Sequence, residues 1–214
     1  MDIFKLLLGL HIIGASISLL LGLYLMFAKK GNSRHKKIGK VYFYALLTAS
    51  VAAIPMSYLH PNYFLFLISI FTIYMLLTGV NYLNKKSTKN VNTTDWVLTI
   101  IMLLFAIAFI GFGIFNIVKG TYFGIVFIVF GSIGLLFSYQ DYINFKGKSK
   151  IKNYFLTTHL QRMTGSYIAS TTAFLVVNNK VLPSVLAWLL PTIIIVPLIV
   201  TWTRKYKVEK KNDT

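Results

Sequence analysis

Ionisable side chains are scarce in the apolar part of this chain, and the few present are of the types that bind, ligate or move protons. His11, His60, His159, Arg162 and Asp141 lie within or at the ends of hydrophobic stretches, and His35 sits in a basic connection between two of them. Such groups are costly in hydrocarbon and face a bundle interior, a cavity or a partner. In the first stretch His11 shares a stripe with Gly14, Ser18 and Gly22 at helical spacing. His60 closes the second stretch on the same side, so the two imidazoles are expected at similar depth. They either face one another, hold an ion or cofactor between them as a metal-ligating pair, or keep wet amphipathic tips at the boundary. The sixth stretch places His159, Arg162, Ser166 and Ala169 or Ser170 on one stripe, with a small-residue series Gly165, Ala169, Ala173 that lets another backbone approach. A guanidinium two turns inside needs a partner. Asp141, ending the fifth stretch, offers a structural ion pair with Arg162; the alternative is that Arg162 binds the carboxylate of a substrate, quinone or other cofactor.

The elements that must position these residues are hydrophobic segments. Of 214 residues, 56% are hydrophobic and 13% charged. Spanning helices need about 20 mostly apolar residues, and seven stretches qualify: about 4–27, 41–60, 63–83, 96–118, 122–141, 155–178 and 184–203. They use nearly the whole chain as one transmembrane domain, 1–214. The net charge is +17, but its distribution points to a membrane rather than to nucleic acid. Eighteen Lys and Arg fall in connections 28–40, 84–95, 142–153 and the tail from Arg204, three in the others (Lys5, Lys119, Lys180), and Arg162 is internal. The rich segments share a side only if the number of spans is odd. The positive-inside rule then sets the amino terminus outside and the carboxyl terminus in the cytoplasm. The expected fold is an all-α, polytopic bundle of seven transmembrane helices, its basic face against anionic lipid head groups.

The first segment begins Met-Asp, has one Lys before a long apolar run and lacks a small-residue cleavage site, so it is expected to stay as a span. With no cysteine, disulfides and thiolate metal sites are excluded. No carboxylate pair, zinc motif or Ser-His-Asp spacing suggests a hydrolase, three of the five acids being Asp2, Glu209 and Asp213. The last span has no interior lysine for a retinal Schiff base. Tyr42, Tyr44, Tyr58, Tyr63, Tyr82, Trp96, Tyr122, Tyr139, Tyr142, Tyr154 and Trp202 gather near the boundaries as an aromatic belt. Gly31 reads as a helix stop, and Gly39 as a turn or close approach in the loop that carries His35. The lysine-rich, Asn- and Ile-rich composition fits an AT-rich bacterial genome, hence a bacterial cytoplasmic (inner) membrane.

Two segments resemble a family of bacterial multi-pass membrane proteins defined only by a domain of unknown function. One is Gly31-x3-His35-Lys36-x2-Gly39-Lys40-x-Tyr42, where that family usually has His-Arg. The other is His159-x2-Arg162-Met163, followed by Ser166-Tyr-Ile-Ala-Ser and Thr172-Ala-Phe. In plan the chain is also similar to two-haem membrane cytochromes. That similarity implies an outer haem pair, His11 and His60, and an inner pair, His35 and His159, with Gly14 and Gly165 making room and Arg162 meeting a propionate. The placing of His35 in a loop departs from that plan. Three functions follow as expectations. The first is a redox protein holding haem or another redox cofactor through histidines. The second is a small transporter, channel or lipid-handling protein with an inward-facing pocket of His159, Arg162 and Asp141. The third is a structural or sensory subunit without chemistry.

Overall fold

In the computed structural model, which describes residues 2–208, the chain is helical nearly throughout. Seven helices follow in order: α1 Ile3–Phe27, α2 Ser33–Leu59, α3 Tyr63–Asn81, α4 Thr93–Val118, α5 Gly124–Phe145, α6 Tyr154–Asn178 and α7 Ser184–Tyr206. Six of them, all but α6, are long and apolar enough to cross a membrane. Asparagines start three of the helices by accepting a backbone N–H: Asn32 from His35, Asn62 from Leu65 and Asn92 from Asp95. Gly31, at φ +82°, makes the turn between α1 and α2. The cap at Asn32 changes one reading: α2 begins at Ser33, so His35 stands in the first helical turn and not in a loop. Gly39 is likewise inside α2, with open space around it. Pro55 lies inside α2, and Pro191 and Pro197 lie inside α7.

The ends of α1, α3, α5 and α7 and the starts of α2, α4 and α6 gather at one end of the bundle. This basic end carries Lys30, Lys36 and Lys40 with Tyr206 and His159 around one cavity, Lys85 against Asp95, and Lys148 with Lys207 along a groove. The tail beyond Val208, with Lys210, Lys211, Glu209 and Asp213, lies outside the described residues. Helix α6 is polar and enclosed, burying Arg162, Ser166 and Thr172 completely, with α3 and α7 as its main neighbours and Arg162 reaching Asp141 and Phe137 of α5. The aromatic belt is only partly present. Tyr44, Tyr58, Tyr122, Tyr139 and Tyr142 are exposed, whereas Tyr42, Tyr82 and Tyr154 are buried in the core, where their hydroxyls can serve the interior. The side chain of Tyr63 lies outside the described ones.

Helices pack closely without a hydrophobic driving force only where small residues let backbones meet. Between α4 and α5 the meeting points are Gly113, Gly124, Gly131 and Gly134, and a Cβ at Gly131 would lie 2.8 Å from the Ala106 carbonyl oxygen. Gly14 meets Ala45 and Ala49 of α2 in the same way. Because the obstacle at Gly131 is backbone, Gly131→Val forces the hairpin apart, at roughly 1–3 kcal/mol. Thermal unfolding in detergent is expected to show a lowered Tm for it. Gly111→Ala, on the same hairpin with nothing within 4 Å, is expected to hold or raise Tm.

Candidate binding cavity and buried charge network

The ion pair expected in the sixth span is present: Arg162 Nη2 donates to Asp141 Oδ1 at 2.9 Å, both side chains fully buried. A bare pair at this depth would not repay its desolvation, so the remaining lone pairs decide whether it is tolerable. Asp141 accepts further bonds from Tyr74 Oη at 2.5 Å, Tyr82 Oη at 2.7 Å and Thr99 Oγ1 at 3.2 Å. The carboxylate thus has four donors, from α3, the turn after it, α4 and α6, the Thr99 proton being shared with the Asp95 carbonyl at 2.9 Å. Arg162 also donates to the Phe137 carbonyl at 3.0 Å and stacks on the Phe137 ring, 3.8 Å to its centre. Asn144 extends the network by donating to Tyr82 Oη at 3.2 Å. The Asp141 and Arg162 side chains are fully enclosed and line neither the cavity of His159 nor the groove of Lys148 and Lys207, so the expected inward pocket holds His159 without them.

Sequence reasoning missed a second buried pair. Lys85 Nζ lies 2.7 Å from Asp95 Oδ2, each side chain 4% exposed. Asp95 also accepts from Asn81 Nδ2 at 2.7 Å and from the backbone N–H of Asn92 at 2.8 Å, closing a capping box at the start of α4. The available signal was Asn92-x-x-Asp95 ahead of an apolar run.

The inner pair of histidines comes together where the outer pair does not. His35 and His159 line a cavity of about 600 Å³ at the basic end, between α1, α2 and α6. Lys30, Lys36 and Lys40 share its polar end, and Met26, Phe43, Leu160, Met163 and Tyr167 form its apolar body. None of its described lining residues is acidic. Lys30 donates to the Leu25 and Met26 carbonyls at the end of α1 and lies 4.9 Å over the Trp202 ring; burial lowers its pKa. His159 Nδ1 lies 2.7 Å from the Gly79 carbonyl. Since a carbonyl only accepts, the imidazole donates there, and its other nitrogen keeps a lone pair in the neutral ring. His35 Nδ1 is buried with no partner among the described residues.

His11 and His60 are separated, against the expectation of similar depth. His11 Nδ1 donates to the Ala49 carbonyl at 2.9 Å, and His60 follows Ala49 by eleven residues, about 16 Å of helix. The exposed His60 ring instead packs edge-on against Phe4, 4.2 Å between centres. A metal or haem shared by His11 and His60 does not fit this placement. The turns between them come from the crossing itself, where Gly14 sets α1 against Ala45 and Ala49. Among the described residues no group of three or more His, Asp or Glu converges as a metal site. Comparison with protein-family models, curated proteins and solved structures finds no match for the chain.

Proposed function

We propose that this chain crosses a bacterial cytoplasmic membrane seven times, amino terminus outside, and binds an anionic amphiphile in the cavity at its basic, cytoplasmic end. The seventh crossing is α6, whose Arg162 and His159 are bonded inside the bundle to Asp141 of α5 and to the Gly79 carbonyl of α3. The observation that carries the binding reading is an imbalance of charge. Among the described residues the acids are Asp2, Asp95 and Asp141. Asp2 caps the start of α1, and the other two are consumed by buried pairs outside the cavity. Lys36, Lys40 and His35 therefore face a largely apolar space without an internal counter-ion. A ligand with an anionic head and an apolar body complements both halves. This is the lipid-handling reading, with the pocket built from His35, His159 and lysines.

The test is titration of detergent-solubilised protein with a fluorescent phosphatidic acid, against a diacylglycerol bearing the same chains. A lysine near an anionic lipid surface is worth about 1 kcal/mol. Lys36→Gln/Lys40→Gln is therefore expected to weaken phosphatidic acid binding by about 2 kcal/mol, roughly thirtyfold, and diacylglycerol should bind weakly to both proteins. Equal affinity for the two lipids, or a variant that binds like the parent, would overturn the reading.

A second reading has its own observation. His159 holds its Nδ1 proton on the Gly79 carbonyl, the arrangement that presents the other nitrogen of a metal-ligating histidine, and His35 lines the same cavity. These two residues suit one haem, which would supply one-electron chemistry, with the lysines meeting its propionates. They do not suit the two-haem plan, because His11 and His60 are apart. A Soret band in protein from a haem-replete host, lost in His159→Ala, is its signature; colourless protein sinks it.

A further inference from the structure

A second recess runs along the opposite flank of α6. It has a volume of about 810 Å³ and is walled by α5, α6 and α7. Its existence follows from how α5 is held. The glycine seam binds α5 tightly to α4, while towards α3 and α6 it is spaced by aromatic rings, Phe71 lying 5.8 Å from Phe130 and 6.0 Å from Phe137 between centres. The floor is apolar, with Phe130, Ile133 and Ala169, and Val196 stands on its α7 wall. From Phe130 to Asn144 along α5 the recess follows fourteen residues, about 21 Å, which exceeds the ~15 Å depth of one leaflet's hydrocarbon.

Its mouth has a different chemistry. Lys148, Lys150 and Lys207 line it. Lys207 belongs to the end of α7 and is brought to the α5–α6 connection by a backbone clamp. Asn153 Nδ2 donates to the Tyr206 carbonyl at 2.6 Å, the Val208 N–H returns a bond to Asn153 Oδ1 at 2.9 Å, and the Lys152 N–H donates to the Val208 carbonyl at 2.7 Å. Between mouth and apolar floor, Gln140 Nε2 donates to Gln161 Oε1 at 2.8 Å, setting an amide pair along the recess. Cations, then amides, then hydrocarbon is the sequence of a phospholipid read from head to tail.

We infer that this recess is a binding site for one anionic phospholipid, its phosphate on Lys148, Lys150 and Lys207 and an acyl chain along the floor between α5 and α7. It is separate from the cavity of His35 and His159, which lies across α6.

Native mass spectrometry of detergent-solubilised protein, titrated with dioleoyl phosphatidylglycerol or dioleoyl phosphatidylcholine, tests it. One phosphatidylglycerol is expected to bind at a concentration at least tenfold below that needed for phosphatidylcholine. Lys148→Gln/Lys150→Gln/Lys207→Gln should erase that preference. Val196→Trp, on the partly exposed α7 wall, should displace both lipids by filling the floor. Lys36→Gln/Lys40→Gln should leave this lipid in place, and inorganic phosphate should not compete with it. Equal binding of the two lipids overturns the site, as does a triple variant that keeps the preference. Binding untouched by Val196→Trp reduces it to surface adsorption, and loss in the Lys36/Lys40 variant assigns the lipid to the other cavity.

Discussion

Asp141→Leu is expected to destabilise the protein by about 3–5 kcal/mol, the range for removing one partner of a buried ion pair, and to be the most damaging single substitution in the network. It strands the guanidinium of Arg162, fully buried and left with only the Phe137 carbonyl as a hydrogen-bond acceptor. It also removes the acceptor of Tyr74 and Tyr82 Oη, both in the core. Arg162→Leu should cost clearly less, because the carboxylate then keeps three hydroxyl donors at 2.5, 2.7 and 3.2 Å. The double Leu variant should recover part of the loss of Asp141→Leu, since the charge goes, but not all of it. Each buried hydroxyl left without its acceptor still costs about 1–3 kcal/mol. Denaturant unfolding in a fixed detergent measures all three. If Arg162→Leu proves the worse, the four-donor carboxylate is not the centre of the network.

That network explains which parts of the molecule were legible in the sequence. Apolar length and alternating basic connections point to the helices, and the six helices that qualify as spans occur close to their expected bounds except at the start of α2. The Asp141–Arg162 pair is legible because a lone arginine in an apolar helix demands an anion, and of the two acids at that end Asp141 lies within an expected span whereas Asp95 lies just outside one. What escaped reading is what depends on three-dimensional enclosure. Tyr42, Tyr82 and Tyr154 have the sequence positions of belt residues, yet each is turned inward, and the acceptor of Tyr82 is fifty-nine residues away. His35 was misplaced for a local reason: a run of lysines masks a helix start, and only the Asn32 cap shows that α2 extends two turns beyond its apolar stretch. His11 and His60 shared an end of the bundle but not a level. The axial offset of two crossing helices is set by where Gly14 meets Ala45 and Ala49, and no periodicity within either helix carries that information.

The Lys85–Asp95 pair is the second place where one substitution should act strongly. Asp95→Ala leaves Lys85 with the Asn90 carbonyl, at 2.6 Å, as its remaining acceptor. It also opens the capping box that begins α4, worth about 1 kcal/mol by itself. A loss near 3 kcal/mol is expected, the low end for buried pairs, because a lysine at the end of a span can extend its long stem towards water. Lys85→Met should be far milder. The apolar stem is kept, and Asp95 retains the Asn92 N–H and Asn81 amide as donors. The asymmetry has a structural consequence beyond stability. Thr99 Oγ1 lies 2.9 Å from the Asp95 carbonyl and 3.2 Å from Asp141 Oδ2, and its single proton serves one acceptor well at a time. Loosening the first turn of α4 therefore shifts that proton towards Asp141 and couples the two pairs. Hydrogen exchange should report Asp95→Ala as faster exchange over residues 92–99. A double-mutant cycle of Asp95→Ala with Arg162→Leu should show a coupling of about 0.5 kcal/mol or more, which Thr99→Val abolishes. Strict additivity in that cycle would mean that the two buried pairs stabilise the bundle independently and that Thr99 links them in geometry alone.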